Sequence, residues 1–148
     1  EISACLVGSE MCIRDSITFK DTVDFKAQQL QNLFLSVKWS SGHYPEKLVI
    51  AMKHSGSVFS AWDGDKLIGL ISAMDDTIMN AYIHYLLIDP EYQGKGIGKQ
   101  LINKIKERYS DFMRIILIAY NKEVPFYHNC GFESGEDKTP MFITSLWT

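Results

Sequence analysis

Gln93-Gly94-Lys95-Gly96-Ile97-Gly98 is the segment from which the fold of this chain can be inferred. It follows a run typical of a β-strand at residues 81–88 and precedes a segment whose apolar residues recur at helical spacing. The helix is followed by a short apolar segment at residues 115–119. A strand, a glycine-rich turn, a helix and a second strand in this order predict a parallel βαβ unit with a right-handed crossover. Because residues 115–119 are apolar throughout, we expect them to form a central strand covered on both faces.

The same turn has the chemistry of an anion-binding site. The free N–H groups and the positive end of a helix attract a phosphate, and glycines let the chain approach it closely. The turn lacks the Gly-Lys-Ser/Thr ending of a Walker loop and the first glycine of a dinucleotide-binding fingerprint. Tight packing between strand and helix is the structural alternative.

The chain before this unit predicts an antiparallel sheet. Alternating or apolar runs bounded by turn residues predict four strands. These cover residues 17–20, 57–62, 66–74 and 81–88. Two predicted helices flank an aromatic loop between the first two strands, with Asp24 expected to cap the first helix and Pro45 to begin the second.

The chain after this unit predicts two more elements. A short helix from about residue 123 to 130 stops at Gly131. Residues 141–147 are expected to close the sheet as a final strand. The predicted fold class is therefore α/β: a mixed central sheet with an antiparallel N-terminal part, a parallel βαβ unit and flanking helices.

Composition predicts one domain and argues against several classes of partner. The chain has 148 residues, 46% of them hydrophobic, which suits a single globular domain. Its net charge of −3 argues against a nucleic acid or an anionic membrane as partner, and no apolar run approaches the ~18 residues of a membrane span. The three cysteines and four histidines show no metal-ligand spacing, so no metal is expected. We expect a cytoplasmic, bacterial-like protein.

The beginning of the chain looks foreign to the domain. Residues 5–16 resemble one reading frame of a transposon-type sequencing adapter, which predicts a non-native extension at 1–16 and a single domain at 17–148. A short native extension is the alternative. Within residues 17–148 Cys130 is the only cysteine, as expected in a reducing compartment.

From residue 17 onward the sequence resembles the GCN5-related N-acetyltransferase (GNAT) superfamily, whose members move acyl groups from coenzyme A thioesters to amines. Gln93, Gly96 and Gly98 match the family's cofactor signature, Gln/Arg-x-x-Gly-x-Gly/Ala. A second signature, Phe-Tyr-x-x-x-Gly-Phe, matches residues 126–132. The resemblance covers about nine-tenths of the chain. It implies a GNAT-like sheet, a single acyl-CoA N-acyltransferase domain and acetyl-CoA (coenzyme A) as cofactor.

The resemblance also implies which residues bind the cofactor. Backbone amides of the turn and of the helix start would bind the pyrophosphate, with Lys95 and Lys99 adding charge unless they are ordinary solvated lysines. The strand end would pair with the pantetheine arm and supply an oxyanion donor. Asn121 stands where the family often carries a cofactor-contacting asparagine, although six residues before Tyr127 rather than the usual seven. The predicted set is Leu86, Leu87, Ile88, Gln93, Gly94, Lys95, Gly96, Ile97, Gly98, Lys99 and Asn121.

Two residues are candidates for catalysis. Tyr127 is the expected general acid, because a departing thiolate with a pKa of about 8.5 needs a proton; simple packing is the alternative. His84 is the candidate base, because an alkylamine of pKa about 10 arrives as ammonium and must lose a proton before it attacks. Strand alternation puts Tyr82 and His84 on one face, and the arylalkylamine branch of the family has histidines at both positions. A histidine satisfied by a neighbour is the alternative.

The acceptor pocket is expected to be aromatic. In the family, the loop between the first two helices borders the acceptor. Here this loop offers Trp39, His43 and Tyr44, with Tyr82 and Tyr85 on the facing strand. Such side chains suit a flat or cationic small amine through stacking and cation–π contact.

The expected function is direct transfer of an acetyl group, in a ternary complex, from acetyl-CoA to a primary amine of a small molecule, with aromatic and arylalkyl amines among the candidates. The alternatives are a protein or peptide acceptor, or a coenzyme A-binding regulatory module without turnover. The sequence leaves a homodimer open.

Overall fold

The computed structural model describes residues 16–148, and within them five strands form one sheet in the order β1-β2-β3-β4-β5. They are β1 (Ile17–Asp21), β2 (Ser57–Asp63), β3 (Lys66–Asp75), β4 (Asn80–Ile88) and β5 (Arg114–Leu117). The first four strands pair antiparallel, and β4 pairs with β5 in parallel. The predicted mixed sheet with a parallel βαβ unit is thus confirmed. The predicted extension at residues 1–16 lies, except for Ser16, outside the described residues.

Four α-helices flank the sheet in this part of the chain. They are α1 (Ala27–Ser36), α2 (Pro45–Lys53), α3 (Ile97–Arg108) and α4 (Val124–Asn129). Short 3₁₀ helices precede α2, α3 and α4, at Ser40–His43, Pro90–Tyr92 and Asn121–Glu123. In α3 the buried residues recur at helical spacing, as the sequence predicts. None of the helices found between residues 16 and 148 has the length and apolar character needed to cross a membrane.

The start of α1 differs from the prediction. Lys26 precedes its first residue, and the Lys26 backbone N–H donates to Gln29 Oε1 at 3.0 Å. The Asp24 N–H instead donates to Thr22 Oγ1 at 3.1 Å, inside the turn that leaves β1. The prediction that Asp24 caps the helix was wrong, because the helix begins at Ala27, two residues later than a cap at Asp24 requires, and Lys26 occupies the cap position.

The helices cover the two faces of the sheet with separate apolar layers. The α3 side chains Leu101, Ile102 and Ile105 pack on one face, against Ile71 and Ile83 among others. On the opposite face α1 and α2 contribute their own buried residues. These include Leu30, Leu33, Phe34, Leu48 and Met52, which pack against Val58, Trp62, Leu70 and Leu87 of the sheet. The burial of these side chains is the main stabilising contribution of the fold.

The outer edge of the sheet differs from the sequence prediction. Within the described chain β5 is an edge strand, and Ile116 and Ile118 are 44% and 46% exposed. Only Ile115 and Leu117 pack on the α3 layer. The prediction of a central strand covered on both faces was therefore wrong. An apolar run shows that a strand can be buried on both sides, but it does not supply the elements that would cover it.

The predicted final strand at residues 141–147 was also wrong. This segment is irregular in the structure, and Met141 and Ile143 are almost fully exposed. A strand requires a partner for its backbone groups. The segment instead ends in hydrogen bonds between Thr148 and the loop residues Ser40 and Ser41, away from any strand edge.

Candidate functional site

The candidate site lies where β4 and β5 separate. β4 pairs with β5 only over Asn80–Ile83, whereas its other edge stays paired with β3 as far as Ile88. Beyond Ile83 the backbone groups on the open edge of β4 have no strand partner in β5. Such an edge can bind an extended ligand through main-chain hydrogen bonds.

A cavity of about 610 Å³ occupies this gap. Its walls are the end of β4, the glycine-rich turn with the start of α3, the end of α1, and α4 with the residues before it. Eleven predicted site residues line it. They are Trp39, Leu86, Leu87, Ile88, Gln93, Gly94, Gly96, Ile97, Gly98, Lys99 and Tyr127. The structure therefore brings the two sequence signatures together at one site.

The glycine-rich turn forms an open cradle in this cavity. Gly94 and Gly96 adopt φ angles of +79° and +82°, and a Cβ on either would meet no atom within 4 Å. Gly96 precedes the first residue of α3, whose first amides have no acceptor within the helix. Free amides at the positive end of a helix, facing space without side chains, fit a phosphate group.

Gly98 has a different role from the two glycines before it. A Cβ at Gly98 would lie 3.4 Å from Phe126 Cζ, at the short end of ordinary van der Waals contact, so a larger side chain would push α4 away. This glycine lets α3 approach α4. Gly94 and Gly96 therefore fit the anion-binding interpretation of the turn, and Gly98 fits the close-packing interpretation.

Side-chain hydrogen bonds connect the loop before α3 to the sheet. The Gln93 side-chain amide donates to the Ile88 carbonyl at 2.9 Å, and the Tyr92 hydroxyl donates to Asp63 Oδ2 at 2.5 Å. Asp89 accepts from the Glu91 N–H at 2.9 Å, which caps the short helix there. These bonds hold the cradle in place before any ligand arrives, which reduces the ordering cost of binding.

Tyr127 lies on the α4 wall of the cavity. Its ring is half-buried and packs edge-on against Phe126 and Phe132, with centroid distances of 5.1 and 5.9 Å. Burial, with the nearby charge of Glu123, raises the pKa of Tyr127 to about 12. Within residues 16–148 the hydroxyl has no protein hydrogen-bond partner. The phenol thus stays protonated at neutral pH and is free to donate its proton to a bound molecule.

A β-bulge brings His84 and Tyr85 to the same face of the sheet. Tyr85 pairs with Ser72 and Ile83 with Ala73, so His84 is the extra residue. The imidazole lies 4.2 Å from the Tyr85 ring and 5.5 Å from the Tyr82 ring, between centroids. Although the His84 side chain reaches solvent, these neighbours desolvate it and lower the pKa of His84. The ring is therefore neutral at neutral pH and can accept a proton.

The same face carries a row of aromatic rings that starts at the cavity. Trp39 lines the cavity and lies 6.1 Å from Tyr85, between ring centroids, and Tyr85 packs edge-on against Phe34 at 5.0 Å. The row continues from Tyr85 through His84 to Tyr82. Its rings form an apolar surface beside the open edge of β4.

Seven predicted site residues do not line the cavity. They are His43, Tyr44, Tyr82, His84, Tyr85, Lys95 and Asn121. Tyr82, His84 and Tyr85 lie on the aromatic row, whereas the side chains of His43, Tyr44 and Asn121 are exposed. Lys95 belongs to the turn but points elsewhere than Lys99, which lines the cavity.

The cavity also contains residues that the sequence analysis missed. Ser36, Val37 and Lys38 at the end of α1 form one wall together with Trp39. No local signal marks these residues, since the packing of α1 on the sheet brings them there. Tyr120, Lys122, Glu123 and Phe126 also line the cavity, and their proximity to the second signature was a signal that could have found them. In the part of the chain that is described, no cluster of three or more His, Cys, Asp or Glu side chains could hold a metal ion.

Comparisons with known proteins show what this chain is similar to. The family model described as acetyltransferase (GNAT) domain matches residues 22–140. The GCN5-related N-acetyltransferase 2, chloroplastic, of Arabidopsis thaliana is 35% identical over 136 residues, which cover 86% of this chain and 52% of that protein. Histone acetyltransferase TAP1 of Glycine max is 35% identical over 132 residues, covering 86% and 54%. The chain thus spans about half the length of these curated relatives.

The fold is also similar to that of a solved structure. An acetyltransferase of the GNAT family from Streptococcus pneumoniae TIGR4 is similar with a TM-score of 0.75 and 30% sequence identity. The match covers 87% of this chain and 98% of that chain.

Proposed function

This chain belongs to the GNAT family of acetyltransferases, and from this membership we propose that it is an N-acetyltransferase that uses acetyl-CoA to acetylate a primary amine of a small molecule. The transfer is direct and takes place in a ternary complex. The observation that carries the proposal is a cavity in which an open glycine cradle, the unpaired edge of β4 and the protonated phenol of Tyr127 meet.

The cradle and the strand edge fit two parts of acetyl-CoA, the diphosphate and the pantetheine arm. The amides from Gly94 to Lys99 would hold the diphosphate, and Lys99 would add a positive charge beside it. The backbone of Leu86, Leu87 and Ile88 would pair with the amide groups of the pantetheine arm. When bound, acetyl-CoA would supply the activated acetyl group, and the β4 amides would donate hydrogen bonds to its carbonyl oxygen.

Tyr127 holds the proton that the departing thiol requires. The hydroxyl is protonated over the whole neutral range, as an ordinary phenol also is, so the residue is in the form that can donate. Phe126 and Phe132 pack edge-on against the ring and fix its orientation.

His84 removes the proton from the amine. The desolvation that lowers its pKa keeps the imidazole neutral, which is the form that accepts a proton. His84 lies one ring beyond Tyr85 on the aromatic row, so the proton reaches it directly or through a water molecule.

The acceptor lies on the aromatic row. Trp39, Tyr85 and Tyr82 offer ring faces and edges to an aromatic or arylalkyl amine, and an ammonium group is attracted to such rings before it loses its proton. A protein acceptor is the competing possibility, since the soybean relative carries the name histone acetyltransferase.

The test is release of free thiol from acetyl-CoA by the purified chain. The acceptor panel contains 2-phenylethylamine, n-butylamine, spermidine, an aminoglycoside and a lysine-containing histone-tail peptide, and calorimetry measures coenzyme A binding. We expect coenzyme A to bind and the aromatic amine to give the highest kcat/KM. Preference for the peptide would overturn the small-molecule assignment. Binding without turnover on any acceptor would leave only a coenzyme A-binding module.

Two expectations from the sequence stay predictions. The cytoplasmic location competes with a plastid, since the Arabidopsis relative is named chloroplastic, and fractionation of the native source distinguishes the two. A homodimer is tested by light scattering on the purified chain.

A further inference from the structure

The cavity extends from one face of the sheet to the other. Ile97 at the start of α3 and Tyr127 pack on the layer under α3, whereas Trp39 packs on the layer under α1 and α2. All three residues line the cavity. The gap beyond Ile83, where β4 no longer pairs with β5, joins the two faces. The glycine cradle therefore lies on one face of the sheet, and the end of α1 forms the wall of the cavity on the other.

Charged side chains lie on both faces. Among the described residues, three lysines and one glutamate line the cavity and give it a net charge of +2. Lys99 follows the cradle on α3, and Lys122 and Glu123 lie just before α4, so these three belong to the walls that carry the cradle and Tyr127. Lys38 lies instead at the end of α1, on the face of the aromatic row. A molecule bound on that face meets the charge of Lys38.

The ammonium group of Lys38 has no partner in the described part of the chain. It forms no ion pair there and donates no hydrogen bond, and the residue is exposed. An ammonium group that no carboxylate of the protein neutralises can bind an anionic group of a ligand through a charge-assisted hydrogen bond.

The backbone at Lys38 has a conformation that lysine rarely adopts. Its φ is +62°, and the N–H groups of Lys38 and Trp39 donate to the carbonyls of Leu35 and Phe34, both at 3.0 Å, which closes the end of α1. Glycine is the usual residue at such a position, because a side chain is strained there. Non-glycine residues in this conformation concentrate at ligand sites. A lysine beside the negative end of a helix also adds a little stability, but that interaction does not select an acceptor.

A positive charge and an aromatic ring lie side by side at this wall. Lys38 precedes Trp39, so their Cα atoms are about 3.8 Å apart. The Trp39 ring lies 6.1 Å from the Tyr85 ring, between centroids. Tyr85 comes three residues before Ile88, and Ile88 accepts the hydrogen bond from the loop that carries the cradle, so about 10 Å of strand separates the two regions. A ligand that contacts both the ring and the charge is compact and carries an anionic group close to its own ring.

We propose that Lys38 is a specificity-determining residue that binds a carboxylate of the acceptor, and that the preferred substrates are aromatic α-amino acids. The inference rests on the proposed function and names its substrate class. The amine nitrogen forms the new C–N bond as the C–S bond of the thioester breaks; its proton passes to His84, and the thiolate takes a proton from Tyr127. The carboxylate is one carbon away from this amine, so Lys38 positions the nitrogen at the gap between β4 and β5. The net positive charge of the cavity repels polycationic acceptors.

The kinetic test uses two pairs of amines that differ only in a carboxylate: L-phenylalanine with 2-phenylethylamine, and L-tyrosine with tyramine. The wild type is expected to have the higher kcat/KM for the amino acid of each pair. Lys38→Met should reduce this preference about 10-fold or more, because it removes one hydrogen bond to a charged group, whereas Lys38→Arg should retain it. The KM for acetyl-CoA should stay unchanged in both variants. The control Lys47→Met removes an exposed lysine of α2 outside the cavity and should keep the wild-type preference.

Binding and stability measurements accompany the kinetics. In calorimetry on the protein with coenzyme A, L-phenylalanine should bind about 10-fold more weakly to Lys38→Met than to the wild type, and 2-phenylethylamine should bind both equally. Lys38→Gly relieves the backbone strain, so it should unfold at the wild-type Tm or above and still lose the preference for the amino acid. This combination separates the loss of a ligand contact from a loss of folding.

Two results would overturn this inference alone. One is a wild type that prefers the amine of each pair, or a preference that Lys38→Met leaves unchanged at normal turnover. The other is a raised KM for acetyl-CoA in Lys38→Met with an unchanged preference between acceptors, which would assign Lys38 to the cofactor. Absence of turnover with every amine would overturn the proposed function and this inference with it.

Discussion

Replacement of Gly96 by alanine separates backbone strain from ligand binding. Gly96 adopts a φ of +82°, where an L side chain costs about 1–2 kcal/mol. For a domain of this size the loss lowers the Tm by about 2–8 °C. The new methyl group would also stand in the open space of the cradle, where we place the diphosphate. Loss of one hydrogen bond to a charged group costs about 1.5–3 kcal/mol, which is about a 10- to 100-fold loss of acetyl-CoA affinity.

The matched control is Gly64→Ala. Gly64 lies in the turn between β2 and β3 and has a φ of +61°. A methyl group added there would likewise meet no atom within 4 Å, but Gly64 does not line the cavity. Thermal unfolding should show similar losses of stability for the two variants, whereas calorimetry with coenzyme A should show weaker binding for Gly96→Ala alone. If both variants bind coenzyme A equally well, the cradle does not hold the diphosphate and the assignment of the site is refuted.

Three further predictions address the acid, the base and the core. Tyr127→Phe should lower kcat at least ~10-fold and leave the affinity for coenzyme A intact, because it removes a proton donor and no binding group; an unchanged kcat would reject the acid role. The wild-type rate should fall as the pH drops through a value below 6.5, because His84 is protonated there, and His84→Ala should remove this inflection and depress the rate most just above it, where His84 is neutral and free amine is scarce; a pH profile of unchanged shape would place the base elsewhere. Tyr109→Phe removes hydrogen bonds to Asp75 and Ser57, of 2.7 and 2.8 Å, and should destabilise the fold by about 1–3 kcal/mol in denaturant titrations with kcat/KM unchanged, whereas a large loss of activity would connect this network to the site.

The local elements of the fold were predictable because each depends on a short stretch of chain. Alternation and turn residues identify the β2–β3 hairpin, and the spacing of Ile97, Leu101 and Ile105 identifies α3. The glycine signature and the Phe-Tyr signature predicted two of the four walls of the cavity for the same reason. The position of a strand within the sheet was not predictable. The apolarity of residues 115–119 does not reveal that β5 lies at an edge of the sheet.

The residues of the site also fall into two groups, those that a short stretch of sequence predicted and those that it did not. Gly94, Gly96 and Tyr127 were found from their motifs, and the pairing of Tyr82 with His84 followed from strand alternation. The bulge at His84 was not visible in the sequence, because an extra residue in one strand shows only against the register of its neighbour. This bulge adds Tyr85 to the face of His84 and so creates the aromatic row.

The amino-acid sequence alone specifies the order of the elements from β1 to α4, the glycine turn at the start of α3 and the residue types available for proton transfer, since these depend on side-chain periodicity and on backbone freedom over a few residues. Contacts between distant segments separate β4 from β5, make the end of α1 a cavity wall and bond Thr148 to Ser40. These features are pairings between distant segments, and a pairing depends on which partner offers the better set of contacts and hydrogen bonds, which no single stretch of chain contains.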